Sequence, residues 1–538
     1  MGCFLPFLPI IYYIRKWIMA EKLTERKRKW IEKTLNNNRR YKVVAYNRAL
    51  TCILLLLLEL TVSVILLLRT QLGWLWQLLT GALSLLSVVY LAGREQRRPT
   101  RMLWIILLLL APIVGVPAYL LYGDGKPTAH LRRRCAKSEK ILSAYDAPAN
   151  ESCGQEGEVG MSMLLQKQGY PTYYDGDVQY YPTGRELFGA MLDSLKGAKK
   201  FVLMEYFILA GGKMWEQLLK LLLQKAEEGV EVKIIYDDFG SIFSLPPHYA
   251  RYLESLHENV QCLAFNKVYP IFSPSYNHRD HRKIFIVDGE VGFTGGVNIA
   301  DEYIDEKKRF GYWKDTGIRV RGSAVRSMTK AFLETWVALK EPNLDVSAYL
   351  QSPALGQTGT CIAPCADSPL DEVRTSEAVY LEMICRSQDY LYITTPYLVL
   401  DESLRTALCL AAMRGVDVRI LTPGIPDKKA VYRLTRANYG ELLRAGVKIY
   451  EYTPGFLHAK MTLSDGAGIV GTTNYDYRSL YLHFENLVYF RGEECVRAVR
   501  EDFEQMFLVS KERGLSDVKR NFFGRLVDTV LRIFEPLL

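Results

Sequence analysis

The sequence predicts an α/β fold of two similar units related by a pseudo-two-fold axis and preceded by N-terminal transmembrane helices. Three observations predict it. The pattern His-x-Lys-x-x-x-x-Asp occurs twice, as His281, Lys283, Asp288 and as His458, Lys460, Asp465. Upstream of each copy the chain runs strand, helix, glycine, strand, the alternation of an α/β layer fold. Three apolar stretches, near residues 49–68, 73–92 and 102–122, each approach the roughly 20 residues needed to cross a bilayer core.

The elements follow in order. Residues 1–48 are a basic segment, in which an apolar run to Tyr13 gives way to Arg15, Lys16, Lys22, Arg26, Lys27, Arg28 and Lys29. No positive charge leads that run and no small-residue cleavage site follows it. An interfacial anchor or cytoplasmic flank is therefore expected, not a cleaved signal. Residues 49–124 hold the three apolar stretches, whose one charged residue is Glu59; a carboxyl there is costly and calls for a partner or a role. Residues 125–174 read as a linker. The first unit, residues 175–344, has a strand ending at Phe207, a helix over Met214 to Glu228, and a Gly229 stop before a strand reaching Asp237. Residues 345–374, rich in Ser, Pro, Gly and Thr, read as a linker or surface loop. The second unit, residues 375–515, repeats the order: a strand to Thr395, a helix over Asp401 to Arg414, then Gly415 and a strand to Leu421. In residues 516–538, Phe522, Phe523, Leu526, Val527, Val530 and Leu531 recur at helical spacing beside Lys519, Arg520, Arg525 and Arg532. That is an amphipathic helix, for an acidic membrane or for the face of the domain.

Basic residues constrain the topology. The basic start of the chain favours the cytoplasm, as do Arg94, Arg97, Arg98 and Arg101 after the second stretch. Arg132, Arg133, Arg134, Lys137 and Lys140 after the third favour it too. Three complete spans cannot satisfy all of these. Either the third stretch, with Pro112 and Pro117, re-enters or lies shallow, or the N-terminal apolar run joins the count. The catalytic part is expected to face the cytoplasm.

The net charge of +9 suits an anionic partner, either nucleic acid or an acidic membrane surface. Ten cysteines include no Cys-x-x-Cys pair and no zinc-like spacing with histidine, so they read as reduced core thiols.

The motifs carry the chemistry. Lys283 to Val287 and Lys460 to Leu463 read as short strands ending at Asp288-Gly289 and Asp465-Gly466 turns. Residues two apart on a strand share a face, so His281 lies with Lys283 and His458 with Lys460. A second strand then brings in Asn298 or Asn474, 17 and 16 residues after the respective histidines. Two facing imidazoles are what a metal-free phosphodiester exchange needs: one attacks phosphorus and the other carries the proton of the leaving alcohol. Lys283 and Lys460 neutralise phosphate oxygens, each contact at about 4 Å being on the order of 4 kcal/mol at moderate effective dielectric. Asn298 and Asn474 can donate to the same oxygens. Asp288 and Asp465 orient the site or simply make turns. Glu205 and Glu485 are candidates to hold a histidine in its working tautomer, or to form ordinary ion pairs.

The chain resembles the phospholipase D superfamily, whose signature is this His-Lys-Asp motif with a downstream Gly-x-x-Asn. Asn277 to Ile284, Gly292 to Tyr303, Glu205-Tyr206-Phe207, Thr395-Pro396-Tyr397, Asn474 to Leu480 and Phe484-Glu485 are similar to bacterial cardiolipin synthases. The resemblance implies two phospholipase D-like units, with His281 as nucleophile and His458 as acid and base, and needs no metal or nucleotide cofactor. It implies transfer of a phosphatidyl group between two phosphatidylglycerol molecules, giving cardiolipin and glycerol. The expected partners are phosphatidylglycerol and anionic membrane lipids, with no nucleic acid; the oligomeric state stays open. The alternatives are a phospholipase D hydrolase, another phosphatidyltransferase and a membrane-tethered nuclease. Two departures concern substrate preference: His483 stands where the family often has Asn, and Thr472 where it often has a Ser-type residue.

Overall fold

The computed structural model describes residues 54–66, 73–93, 98–123, 127–145, 159–268, 277–519, 521–533 and 535. The basic segment 1–48 lies outside the described residues. Seventeen strands occur among them. The first unit contributes β1 (Asp177–Tyr181), β2 (Phe201–Tyr206), β3 (Glu231–Asp237), β4 (Val260–Phe265), β5 (Lys283–Val287), β6 (Val291–Gly295), β7 (Tyr312–Lys314) and β8 (Gly317–Arg321). The rest are β9 (Cys361–Asp367), β10 (Tyr390–Thr394), β11 (Asp417–Pro423), β12 (Lys448–Tyr452), β13 (Gly455–Leu457), β14 (Met461–Ser464), β15 (Ala467–Gly471), β16 (Glu485–Arg491) and β17 (Ser510–Arg513).

The sheets run β1-β8-β6-β5-β2-β3-β4 and β17-β12-β11-β10-β14-β15-β16-β9. In each, three parallel strands (β2, β3, β4 or β10, β11, β12) meet an antiparallel motif strand, β5 or β14. Apart from β17, the two orders superimpose strand for strand, which is the repeat expected from sequence. The segment read as a linker at 345–374 holds β9, which pairs with β16 along seven residues from Cys361 to Asp367. Its apolar alternates were hidden in sequence by the Pro, Ser and Gly around them. Residues 125–174 likewise contain two helices, Ala129–Ser143 and Val159–Lys167.

β2 and β5 are buried along their whole lengths, as strands covered on both faces must be. One apolar core lies between the sheets and joins Leu203, Ile284 and Ile286 of the first unit to Met461, Leu463 and Val488 of the second through Phe332 and Trp336. Two further cores fill the space between each sheet and its outer helices. The helix Lys213–Glu227 buries Met214, Trp215, Leu218, Leu222 and Ala226 at helical spacing. Gly229, at φ +93°, ends that stretch.

The turns at the motifs explain the aspartate that ends each copy of the pattern. Asp288 and Gly289 both have positive φ, as do Asp465 and Gly466; the loop is Asp288 to Glu290 in the first hairpin and the two residues Asp465-Gly466 in the second. The Asp288 carboxylate accepts the backbone N–H groups of Lys199, Lys200 and Phe201 at 2.8, 2.8 and 2.9 Å. Asp465 does the same for Gln388, Asp389 and Tyr390. Each aspartate thus clamps its hairpin to the start of the neighbouring parallel strand. Seven residues of extended chain put each roughly 20 Å from its histidine.

The Gly73–Ala92 helix is long and apolar enough to cross a bilayer; the Leu54–Leu66 helix is shorter. The third stretch is two helices, Arg98–Leu110 and Pro112–Tyr122, broken at Ala111 because Pro112 has no N–H to continue the ladder. At the C-terminus the Phe522–Ile533 helix packs on the domain. Asp528 pairs with Arg433 at 2.6 Å and Leu531 packs on Val399, Val431 and Leu434, while Phe522 and Phe523 stay 77% and 71% exposed.

Asp288→Ala removes one acceptor from three backbone donors. It is expected to lower the thermal midpoint of the purified protein by the equivalent of about 1–3 kcal/mol. Turnover per folded molecule at low temperature should stay within about threefold of the parent, far from the loss that removing an acid or base group brings. A variant that melts normally yet is inactive would return Asp288 to the chemistry.

Candidate active site

The two units are stitched at two matched places, and each stitch makes half of the site. Asp280 bridges Phe484 in parallel, with the Phe484 N–H donating to the Arg279 carbonyl at 2.9 Å and the His281 N–H to the Phe484 carbonyl at 2.8 Å. The next residues along, His281 and Glu485, therefore lie side by side. In the second stitch, β7 pairs with β13 in parallel, Lys314 opposite Leu457. The His458 N–H donates to the Lys314 carbonyl at 2.7 Å, so Asp315 and His458 are neighbours. The approach to His281 is fixed from below by Asp237 at the end of β3, which accepts the Asp280 N–H at 2.9 Å and faces Arg279.

Each imidazole is held by a carboxylate from the other unit. His281 Nδ1 lies 2.9 and 2.8 Å from Glu485 Oε1 and Oε2. His458 Nδ1 lies 2.6 Å from Asp315 Oδ2. A carboxylate fixes the proton on Nδ1 and leaves Nε2, across the ring, as the basic atom. Glu485 is itself held by the Thr472 hydroxyl. Lys283 donates to the His281 carbonyl at 2.8 Å, and Lys460 to the His458 carbonyl. Asn298 accepts the Ile208 N–H and donates to Tyr303 at 2.7 Å; Asn474 donates to Asp476 at 2.9 Å. An amide nitrogen carries two hydrogens, so each asparagine keeps a second to offer.

The electrostatics show four nitrogen groups crowded out of water. Burial, then the Lys283 and Lys460 ammoniums and His458, hold the His281 imidazole well below its ordinary pKa. Burial and Lys460 bring His458 down to about 4, against the pull of Asp315. Burial also lowers Lys283 to about 7 and Lys460 to about 8. Burial pushes the Asp315 carboxyl up, but His458 and Lys460 more than reverse that and hold it below its usual value. Buried cations crowded together in this way are stabilised by an added negative charge, so the setting favours an anion.

The structure brings His281, Lys283, Glu485, His458 and Lys460 together, all buried. Glu205 does not reach either imidazole. It is fully buried beside Asp280, and burial together with that second carboxyl raises its pKa well above the ordinary value. Its place on β2 was right for the neighbourhood and wrong for the face. Asp288 and Asp465 lie at the far ends of the motif strands. Asp315, which holds His458, was missed. The signal was its place one residue beyond Trp313-Lys314, matching Glu485 after Phe484. His483 sits beside His281, ring centroids 5.7 Å apart, and burial lowers it to about 3. His281, His483 and Glu485 place one ligand atom each within 4.8 Å of one another, but a cation there would compete with the hydrogen bond that orients His281.

Comparison with known proteins adds the family. A cardiolipin synthase, phospholipase D-like domain matches residues 191–316 and 380–507, and a phospholipase D-nuclease N-terminal domain matches residues 82–123. Cardiolipin synthase 2 of Bacillus anthracis is 34% identical over 82% of this chain and 88% of its own. A cardiolipin synthase of Alkalihalophilus pseudofirmus is 33% identical over 87% and 96%. The fold is shared with phosphatidylserine synthase of Haemophilus influenzae, at a TM-score of 0.52 and 13% identity, over 67% of this chain and 93% of that one. With both motifs present and their histidines held in matched settings, the chain belongs to the phospholipase D-like cardiolipin synthase family of phosphatidyltransferases.

Proposed function

We propose that the chain is a multi-pass membrane cardiolipin synthase with its catalytic part on the cytoplasmic side. It transfers a phosphatidyl group from one phosphatidylglycerol to another through a phosphohistidine. The observation that carries this is the pair of crossed contacts, His281 with Glu485 and His458 with Asp315. His281 Nε2 attacks the phosphorus of the donor lipid. The bond from phosphorus to the glycerol oxygen breaks, and His458 gives that oxygen its proton. Glu485 steadies the positive charge that attack leaves on the His281 ring. The hydroxyl of a second phosphatidylglycerol then loses its proton to His458 and attacks phosphorus. The phosphorus–nitrogen bond breaks and His281 is restored. Lys283, Lys460, Asn298 and Asn474 hold the phosphate oxygens throughout.

The arriving phosphodiester is negative, and its charge raises the His458 pKa from the low value of the empty cavity, which lets that ring hold the proton it must donate. Water is the competing acceptor. Orienting the acceptor lipid is worth about 7–11 kcal/mol, enough to favour an alcohol over water when the lipid fills the site. Supply comes from the membrane side: Tyr477, three residues after Asn474, meets Thr100 of the Arg98–Leu110 helix through their hydroxyls.

Replacing either His281 or His458 with Ala should abolish transfer. Asp315→Asn and Glu485→Gln should each keep the fold but lower kcat by roughly 10³–10⁴-fold, because the amide no longer fixes the tautomer or the imidazolium. Near-normal turnover in any of these four, measured on phosphatidylglycerol in mixed micelles, contradicts the mechanism. Given phosphatidylglycerol alone, the purified enzyme should yield cardiolipin and glycerol on lipid analysis; phosphatidic acid as the main product would make it a hydrolase.

The pH profile has a definite sign. His281 must be unprotonated to attack, and its pKa is lowered, so the acid limb of kcat/KM should lie below pH 6.5. The lysines must stay charged to bind phosphate, so the alkaline limb should begin near the values of about 7 and about 8 held by Lys283 and Lys460. An acid limb above pH 6.5 would contradict the assignment of His281.

A further inference from the structure

We infer that residues 98–122 form a re-entrant helical hairpin, an interaction surface for a single membrane leaflet, and that Glu59 and Ser84 hold its tip inside the hydrocarbon. The two arms fold back on each other. Trp104 and Tyr119, on opposite arms, meet edge to face with ring centroids 5.3 Å apart. Leu108 and Tyr119 share a small core with Leu91 of the Gly73–Ala92 helix. Gly115 packs so closely that a Cβ there would lie 3.4 Å from the Leu108 Cα. The arms, of 13 and 11 residues, are about 20 and about 16 Å long, and neither crosses a hydrocarbon core of roughly 30 Å.

The turn between them satisfies its own backbone without water. The second arm begins at Pro112, which has no N–H to place. The next two donors, Ile113 and Val114, each give a 2.8 Å hydrogen bond to one oxygen of the Glu59 carboxylate, on the Leu54–Leu66 helix. Gly115 donates to the Ala111 carbonyl at 2.7 Å. On the first arm, Leu108 loses its helical partner because that partner is Pro112, and the Ser84 hydroxyl takes its carbonyl at 2.9 Å. A turn facing water needs none of these side chains. In hydrocarbon, where each unmade bond costs several kcal/mol, they are required. The residues around the turn agree: Leu109, Leu110 and Ile113 are 57%, 80% and 40% exposed, an apolar tip suited to lipid and not to solvent. Glu59, the one charged residue of the apolar stretches, thereby has a use as the cap of a buried helix start.

The hairpin also resolves the charge conflict. If it dips and returns, and the apolar stretches near 49–68 and 73–92 each cross as their lengths in sequence allow, two spans remain. The basic residues before the first stretch, those between Arg94 and Arg101, and those between Arg132 and Lys140 then all lie on one side. That is the cytoplasmic side by the rule of positive flanks. The same leaflet then meets the exposed Phe522 and Phe523 of the C-terminal helix, which touches the Arg98–Leu110 arm.

This deepens the membrane-enzyme reading, and its test does not depend on activity. Gln96→Cys, Asp124→Cys and Leu110→Cys are placed singly in the full-length chain and exposed to a membrane-impermeant maleimide in sealed right-side-out and inverted vesicles. The labelled peptides are identified by mass. Residues 96 and 124 should both label from the cytoplasmic face, and residue 110 from neither. Labelling of 96 and 124 from opposite faces, or ready labelling of 110, overturns the hairpin. Glu59→Gln, which keeps one acceptor oxygen, should lower the thermal midpoint less than Glu59→Leu, which keeps none; equal midpoints in parent and both variants overturn the role of Glu59 as the cap.

Discussion

The molecule depends on one constraint: each catalytic imidazole is completed by a carboxylate from the opposite unit. Neither unit alone has an oriented histidine. His281 needs Glu485 from β16, and His458 needs Asp315 from the end of β7. The short parallel pairings that place these residues are also what join the units, so assembling the fold and assembling the site are the same event. The continuous core from Leu203 to Val488 holds that join against the repulsion of two lysines and two imidazoles.

The same constraint accounts for the electrostatics. Four buried nitrogen groups lie close together, with Asp315 and Glu485 the carboxylates in contact with the imidazoles. Burial and mutual repulsion lower their pKa values, which favours the neutral form of His281 that the proposed mechanism needs. In the proposed mechanism the negative charge of a bound phosphodiester would raise those values again, so that substrate binding would set the protonation state for the next step.

Much of this was legible in the sequence, for stated reasons. The duplicated motif, the glycine-ended helices and the Asp-Gly turns are local signals, and local signals survive without a structure. Glu485 was found because it follows Phe484 close to the second motif. Asp315 was not, because the strings that carry the family resemblance end at Tyr303 in the first unit and do not reach it, although it lies 143 residues from its histidine and Glu485 lies 204 from its own. Glu205 was misplaced because a sequence tells which strand a residue occupies and not which neighbour its face meets. β9 was hidden by the Pro, Ser and Gly around it. Pro112 and Pro117 mark the third apolar stretch in sequence as one that re-enters or lies shallow, and the structure divides it at Ala111, where Glu59 and Ser84 take the freed backbone groups.

The central claim is geometric, and a structure of the enzyme with bound vanadate tests it most directly. The account predicts one vanadium centre with His281 Nε2 bonded at one apex and His458 Nε2 facing the oxygen at the other, with Lys283 and Lys460 on the equatorial oxygens. Vanadate bound elsewhere, or with only one of the two imidazoles in contact, would contradict it.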